Sequence, residues 1–137
     1  MNFEAPRLIS IPRHKDIRGN LSVVDSTGCL PFEVKRVFYI YDIPAETQRG
    51  GHAHKSLYQF IWPVSGTIEV LTIDKVRNKN KWLLQFPWKG LLIPPMIWAS
   101  EKAVSAGCVY IVAASDYYDE SDYIRDIDAF FDLSAPS

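Results

Sequence analysis

Two histidines separated by one residue, His52 and His54, lie in the run Arg49-Gly50-Gly51-His52-Ala53-His54-Lys55-Ser56-Leu57-Tyr58-Gln59. On a β-strand, residues two apart point to the same face, so both imidazoles would enter one space. Paired imidazoles can bind a metal ion, hold a charged ligand or move protons near neutral pH. Gly50 and Gly51 allow a tight backbone turn and the close approach of a ligand just before the pair. Taken alone, a His-x-His pair is more often a surface or satisfied core feature. Here two of the chain's 3 histidines fall together behind a diglycine and an arginine, which favours function. The third, His14, sits between Arg13 and Lys15 and reads as solvated.

Such a pair needs a rigid frame, and the chain supplies strands. Short β-branched and aromatic runs recur between Gly, Pro, Asn and Asp, giving candidate strands at 7–11, 21–25, 34–41, 59–65, 67–73, 81–86, 90–93 and 108–114. Turns are expected at 16–20 and 75–80. Helical spacing of Tyr123, Ile127 and Phe130 or Phe131 predicts a helix over about 121–133, with Ser121 as its cap. The 137 residues read as one all-β domain, a sandwich or small closed barrel with a short C-terminal helix.

Composition narrows the function. Fifteen basic against 16 acidic residues leave a net charge of −1, which argues against a general nucleic-acid binder. The longest nearly apolar stretch, Leu91 to Ala99, is broken by Pro94 and Pro95, so no membrane-spanning segment is expected. The N-terminal residues lack the order of a secretory signal. Cys29 and Cys108 have no paired spacing and read as apolar residues in a reducing cytoplasm. The acidic run Asp116, Asp119, Glu120 and Asp122 reads as a polar turn entering the last helix. Tyr117, Tyr118 and Tyr123 read as core packing, with stacking on a base as the alternative.

The His52 run resembles the first motif of the cupin superfamily, in which Gly and His-x-His precede an acidic ligand and a closing Gly. The acidic position here is Gln59 and the closing glycine is Gly66. The region matching the second cupin motif, Gly90 to Ala99, contains no histidine. An amide is a poor ligand for a divalent ion, and two histidines do not complete a usual zinc or iron site. A cupin-type jelly-roll β-barrel without a catalytic metal is therefore expected.

Three segments together carry a closer resemblance: Pro31 to Ile40, Arg49 to Gln59, and Ala114 to Arg125. In that order they look like the TDP-4-keto-6-deoxyhexose 3,4-ketoisomerases, the WxcM-like cupins. The resemblance implies a cytoplasmic enzyme of deoxysugar biosynthesis with a dTDP-linked keto-sugar substrate, no metal and no organic cofactor. It implies a homodimer that exchanges N-terminal strands. It puts the base at His52, with His54 relaying protons between oxygens or orienting the base. Arg36, Arg49 and Arg125 would face the diphosphate. Phe38, Gln59 and Trp98 would contribute to the substrate pocket. On strand geometry Arg36 and Phe38 share one face and Tyr39 takes the other.

The chain also departs from the family pattern. Phe38 stands where the catalytic members carry a tyrosine, and Ala99-Ser100-Glu101 follow Trp98 where His or Arg and then an acidic residue are common. Two alternatives stay open: a sugar-nucleotide-binding cupin impaired in catalysis, and an isomerase or epimerase for another nucleotide keto-sugar.

Overall fold

Runs of Val, Ile, Phe, Tyr and Trp separated by turn residues fold as the expected strand-rich domain in a computed structural model that describes residues 3–133. The strands are β1 (Arg7–Ser10), β2 (Arg13–Asp16), β3 (Gly19–Ser22), β4 (Arg36–Ile40), β5 (Gln48–His54) and β6 (Gln59–Ser65). They continue with β7 (Ile68–Ile73), β8 (Lys79–Leu84), β9 (Lys89–Ile93), β10 (Trp98–Ala103), β11 (Val109–Ala114) and β12 (Tyr123–Ile124). One helix, α1 (Ile127–Asp132), follows.

Two five-stranded sheets form, in the orders β1-β9-β6-β11-β4 and β12-β5-β10-β7-β8, and their paired strands are antiparallel. They make a jelly roll in which the sheets remain separate hydrogen-bonded units and do not close into a continuous barrel. Among the described residues the β2–β3 hairpin pairs only with itself.

Alternation decides what each sheet buries. On β4, Phe38 and Ile40 turn inward, while Val37 and Tyr39 are 57% and 62% exposed. Ile61, Leu91, Ile93 and Val112 from the first sheet meet Ile68, Val70 and Leu84 of the second. Each such buried side chain stabilises the fold by about 1.5–3 kcal/mol. Phe60, Leu92 and Ala113 point out of the same first sheet and pack under Ile11 and Leu30, so its centre is covered on both sides.

Several expected boundaries shift. The helix expected from Ser121 starts only at Ile127, with Asp126 as its cap: the Asp126 carboxylate accepts from the Ala129 N–H at 3.0 Å. Upstream, a single 3-10 turn covers Glu120–Asp122, and Tyr123 and Ile124 then pair with His54 and Ala53 of β5. Tertiary pairing thus overrides helical spacing at Tyr123. The segment expected as a strand at 21–25 pairs instead as Gly19–Ser22, and β8 begins inside the turn expected at 75–80. That turn is tightened by Asp74, whose carboxylate accepts from the Val76 and Asn78 N–H groups. Strands β2, β5 and β10 lie outside the expected strand ranges; in β10, Glu101 and Lys102 interrupt the apolar pattern.

Candidate functional site

Strand β5 carries the imidazole pair, and its glycines do more than turn the chain. Ala99 of β10 pairs with His52, but the next residue, Ser100, pairs with Gly50. Gly51 is therefore the extra residue of a β-bulge. Gly50 and Gly51 have φ of +81° and +86°, conformations that side-chain-bearing residues rarely adopt. The bulge changes the parity of the strand. Arg49 and His52, three apart, would face opposite sides of a regular strand, yet both line one internal cavity of about 150 Å³.

The opposing wall comes from Phe38 and Ile40 of β4, Gln59 and Ile61 of β6, and Val112 of β11. Ala99 and Glu101 of β10 and Tyr123 of β12 complete it near His52. The cavity opens where Arg49 and Gly50 are exposed.

His52 is half-buried and His54 is buried. Their ring centroids lie 5.0 Å apart and nearly perpendicular, and the Tyr123 ring packs against both at 5.0 and 4.4 Å. Burial pushes the His52 pKa down to about 4, helped by the neighbouring His54 and Arg125 and opposed by Glu120. Burial also lowers that of His54, against the pull of the Asp122 carboxylate. Both rings are thus neutral near pH 7. His54 Nδ1–H donates to Asp122 at 3.1 Å, leaving Nε2 as a buried acceptor without a hydrogen-bond partner among the described residues. Asp122 is itself fixed, accepting from the Ser56 N–H at 2.9 Å and the Ser56 hydroxyl at 2.8 Å.

The arginines divide. Arg49 stands at the cavity mouth. Arg36 lines a separate crevice together with His54, beside the Phe38 and Tyr118 rings, with a buried Nε that has no partner among the described residues. Arg125 forms a two-point ion pair with Glu120, Nε to Oε1 at 2.6 Å and Nη2 to Oε2 at 2.9 Å, and covers the Tyr123 ring. Gln59 is buried and lines the cavity. Trp98 is not among the cavity's lining residues: its indole packs near Phe130 of α1, with ring centroids 5.9 Å apart.

The expected core packing of the tyrosines is corrected as well. Tyr117 and Tyr118 are exposed, and Tyr123 sits on the imidazoles. Asp122, Tyr123 and Glu101 are the neighbours that sequence reasoning did not assign to the site. The contact between Asp122 and His54 spans 68 residues, and no local spacing signals it.

A jelly roll with His52 at the wall of its cavity and His54 packed behind it, lining a separate crevice with Arg36, defines a cupin-like protein. The chain belongs to the FdtA family (WxcM-like, C-terminal), whose model matches residues 4–135. It is 39% identical over 124 residues to the TDP-4-oxo-6-deoxy-alpha-D-glucose-3,4-oxoisomerase of Aneurinibacillus thermoaerophilus, covering 90% of this chain and 88% of that one. The crystal structure of QdtA, a sugar 3,4-ketoisomerase from Thermoanaerobacterium thermosaccharolyticum in complex with TDP, superposes with a TM-score of 0.88 at 34% identity, covering 93% and 92% of the two chains. A histidine-to-asparagine mutant of the same enzyme, in complex with TDP-4-keto-6-deoxyglucose, gives a TM-score of 0.88 at 33% identity, covering 93% and 91%.

Proposed function

We propose that this 3,4-ketoisomerase moves the keto group of a TDP-4-keto-6-deoxyhexose from C4 to C3, with His52 as the base. The observation that carries the reading is the neutral imidazole of His52 at the wall of a largely apolar cavity. A C3 proton beside a carbonyl is acidified by delocalisation of the carbanion into the ketone. His52 removes it, the enediol forms, and the protonated ring returns the proton at C4. His54, locked in one tautomer by Asp122, holds the His52 ring edge-on.

At about 150 Å³ the cavity is smaller than the ~300–1,000 Å³ of a typical drug-sized site. The sugar ring therefore enters it and the nucleotide lies outside, where exposed Arg49 is suited to the diphosphate. Arg36 and Arg125 are the further diphosphate candidates, while Phe38 and Gln59 shape the pocket wall.

The reaction needs no metal by this route. Among the described residues, no group of three or more His, Cys, Asp or Glu is disposed to hold an ion. Stoichiometric zinc, iron or manganese in active protein would overturn that. Two free cysteines and a nucleotide-sugar substrate suit the cytoplasm, and no helix among the described residues is long and apolar enough to cross a membrane.

The test is incubation with TDP-4-keto-6-deoxyglucose in deuterated water. Migration of the carbonyl is expected, with label entering the ring to the extent that the protonated His52 ring exchanges with solvent before it reprotonates C4. Tight TDP binding with neither carbonyl migration nor exchange would make the chain a binding module instead. Inversion at C3 or C5 without carbonyl migration would make it an epimerase.

A further inference from the structure

Carbon-to-carbon transfer by His52 leaves half the reaction unserved. The C4 oxygen must gain a proton as the enediol forms, and the C3 oxygen must lose one as the new ketone appears. Phe38 brings no hydroxyl to the cavity, and Tyr123 is engaged through its ring, packed against both imidazoles. Arg49 and Gln59, which also line it, are not acids at neutral pH.

Glu101 is. It stands opposite Arg49 across the β5–β10 ladder and lines the same cavity as His52. Its Oε2 occupies the space above Gly50 that a Cβ there would fill. A bare backbone at Gly50 thus lets the carboxyl reach across β5, two residues from His52. Arg49 faces it from β5, Tyr110 lies beside it on β11, and its partner on β7, Val70, carries no charge. Burial pushes the carboxyl pKa up to about 7, against the pull of Arg49. One cavity therefore holds a base kept neutral and a carboxyl that still carries a proton up to about pH 7, the pairing that separates acid from base roles.

We infer that Glu101 is a further catalytic residue, the acid that serves the substrate oxygens while His52 serves the carbons. The inference rests on the 3,4-ketoisomerase reading. His52 takes the C3 proton, the C3–H electron pair becomes the C3–C4 double bond, and the carbonyl electrons pass to the C4 oxygen. Glu101 donates its proton to that oxygen, leaving carboxylate, imidazolium and a neutral enediol. In the second half the carboxylate takes the proton of the C3 hydroxyl, the C3 carbonyl forms, and C4 receives the proton held by His52. Both residues return to their starting states with no net proton exchanged.

Glu101→Gln tests this, because the amide keeps the shape of the acid but has no acidic proton. A fall in kcat of about 10²–10⁴-fold is expected, with TDP affinity by calorimetry unchanged. The wild-type rate should decline as pH rises through about 7, and the residual activity of the variant should lack that limb. Wild-type activity in Glu101→Gln, or a wild-type profile flat across about pH 6–9, overturns the assignment. Should the variant not fold, the wild-type profile decides by itself. Absence of any carbonyl migration in the wild type overturns the functional reading, whereas normal migration with a fully active Glu101→Gln overturns only the role of Glu101.

Discussion

Removing an imidazole from water costs the charged form more than the neutral one, and that cost keeps the His52 ring neutral at neutral pH, the state the proposed base requires. Replacing it with asparagine should lower kcat about 10²–10⁴-fold and leave TDP affinity nearly unchanged, as steady-state kinetics and calorimetry would register. The same burial couples to stability. With a folded pKa of about 4 against ~6.5 unfolded, the unfolded chain binds more protons between those values. Its contribution is present above about pH 6.5 and is lost as pH falls through about 4. Glu101 has the opposite sign. Its carboxyl keeps a proton up to about pH 7 in the folded chain, against ~4.3 unfolded, so its contribution is present below the lower value and lost as pH rises through the upper. Glu101→Gln should therefore be more stable than wild type at about pH 8 and similar at about pH 4, which urea melts would resolve.

Strand β5 works because it is irregular. Without the bulge at Gly51, Arg49 and His52 would point to opposite faces of the sheet. A Cβ at Gly51 meets open space, so Gly51→Ala isolates the backbone effect of φ +86°. It should cost about 1–3 kcal/mol in denaturant melts and lower turnover further than that loss explains, because the bulge sets the aim of His52. The final segment is a second such device. Pairing of β12 with β5 brings Asp122 under His54 and lays Tyr123 over both rings. Asp122→Asn removes the charged acceptor and should cost about 1.5–3 kcal/mol of stability. Turnover should fall with little change in TDP affinity, since His54 is then free to change tautomer.

The first sheet exposes an apolar outer surface where Val37, Tyr39 and Val64 flank Trp62 and Ile111. The β2–β3 hairpin beside it pairs with no other described strand and leaves Ile17 fully exposed. Both features suit a homodimer that covers this face, with exchange of N-terminal strands as the finer form. Light scattering should give twice the chain mass of 15.6 kDa, and Tyr39→Glu should shift it toward the monomer. A wild-type monomer at micromolar concentration would sink the dimer.

Much of this was legible in residue order, because strand alternation and the His-x-His spacing act over a few residues. Phe38 inward, Tyr39 outward and His52 with His54 in one region all follow from a period of two. The tail was misread for the converse reason: Tyr123 keeps helical spacing to Ile127, but its backbone bonds are taken by a strand some seventy residues earlier. The shared cavity of Arg49, His52 and Glu101 depends on one extra residue in a ladder and on a missing Cβ. Sequence by itself determined which groups could carry protons. Tertiary structure alone decided which of them meet and which lose their water, because burial and cross-strand register are properties of the folded whole.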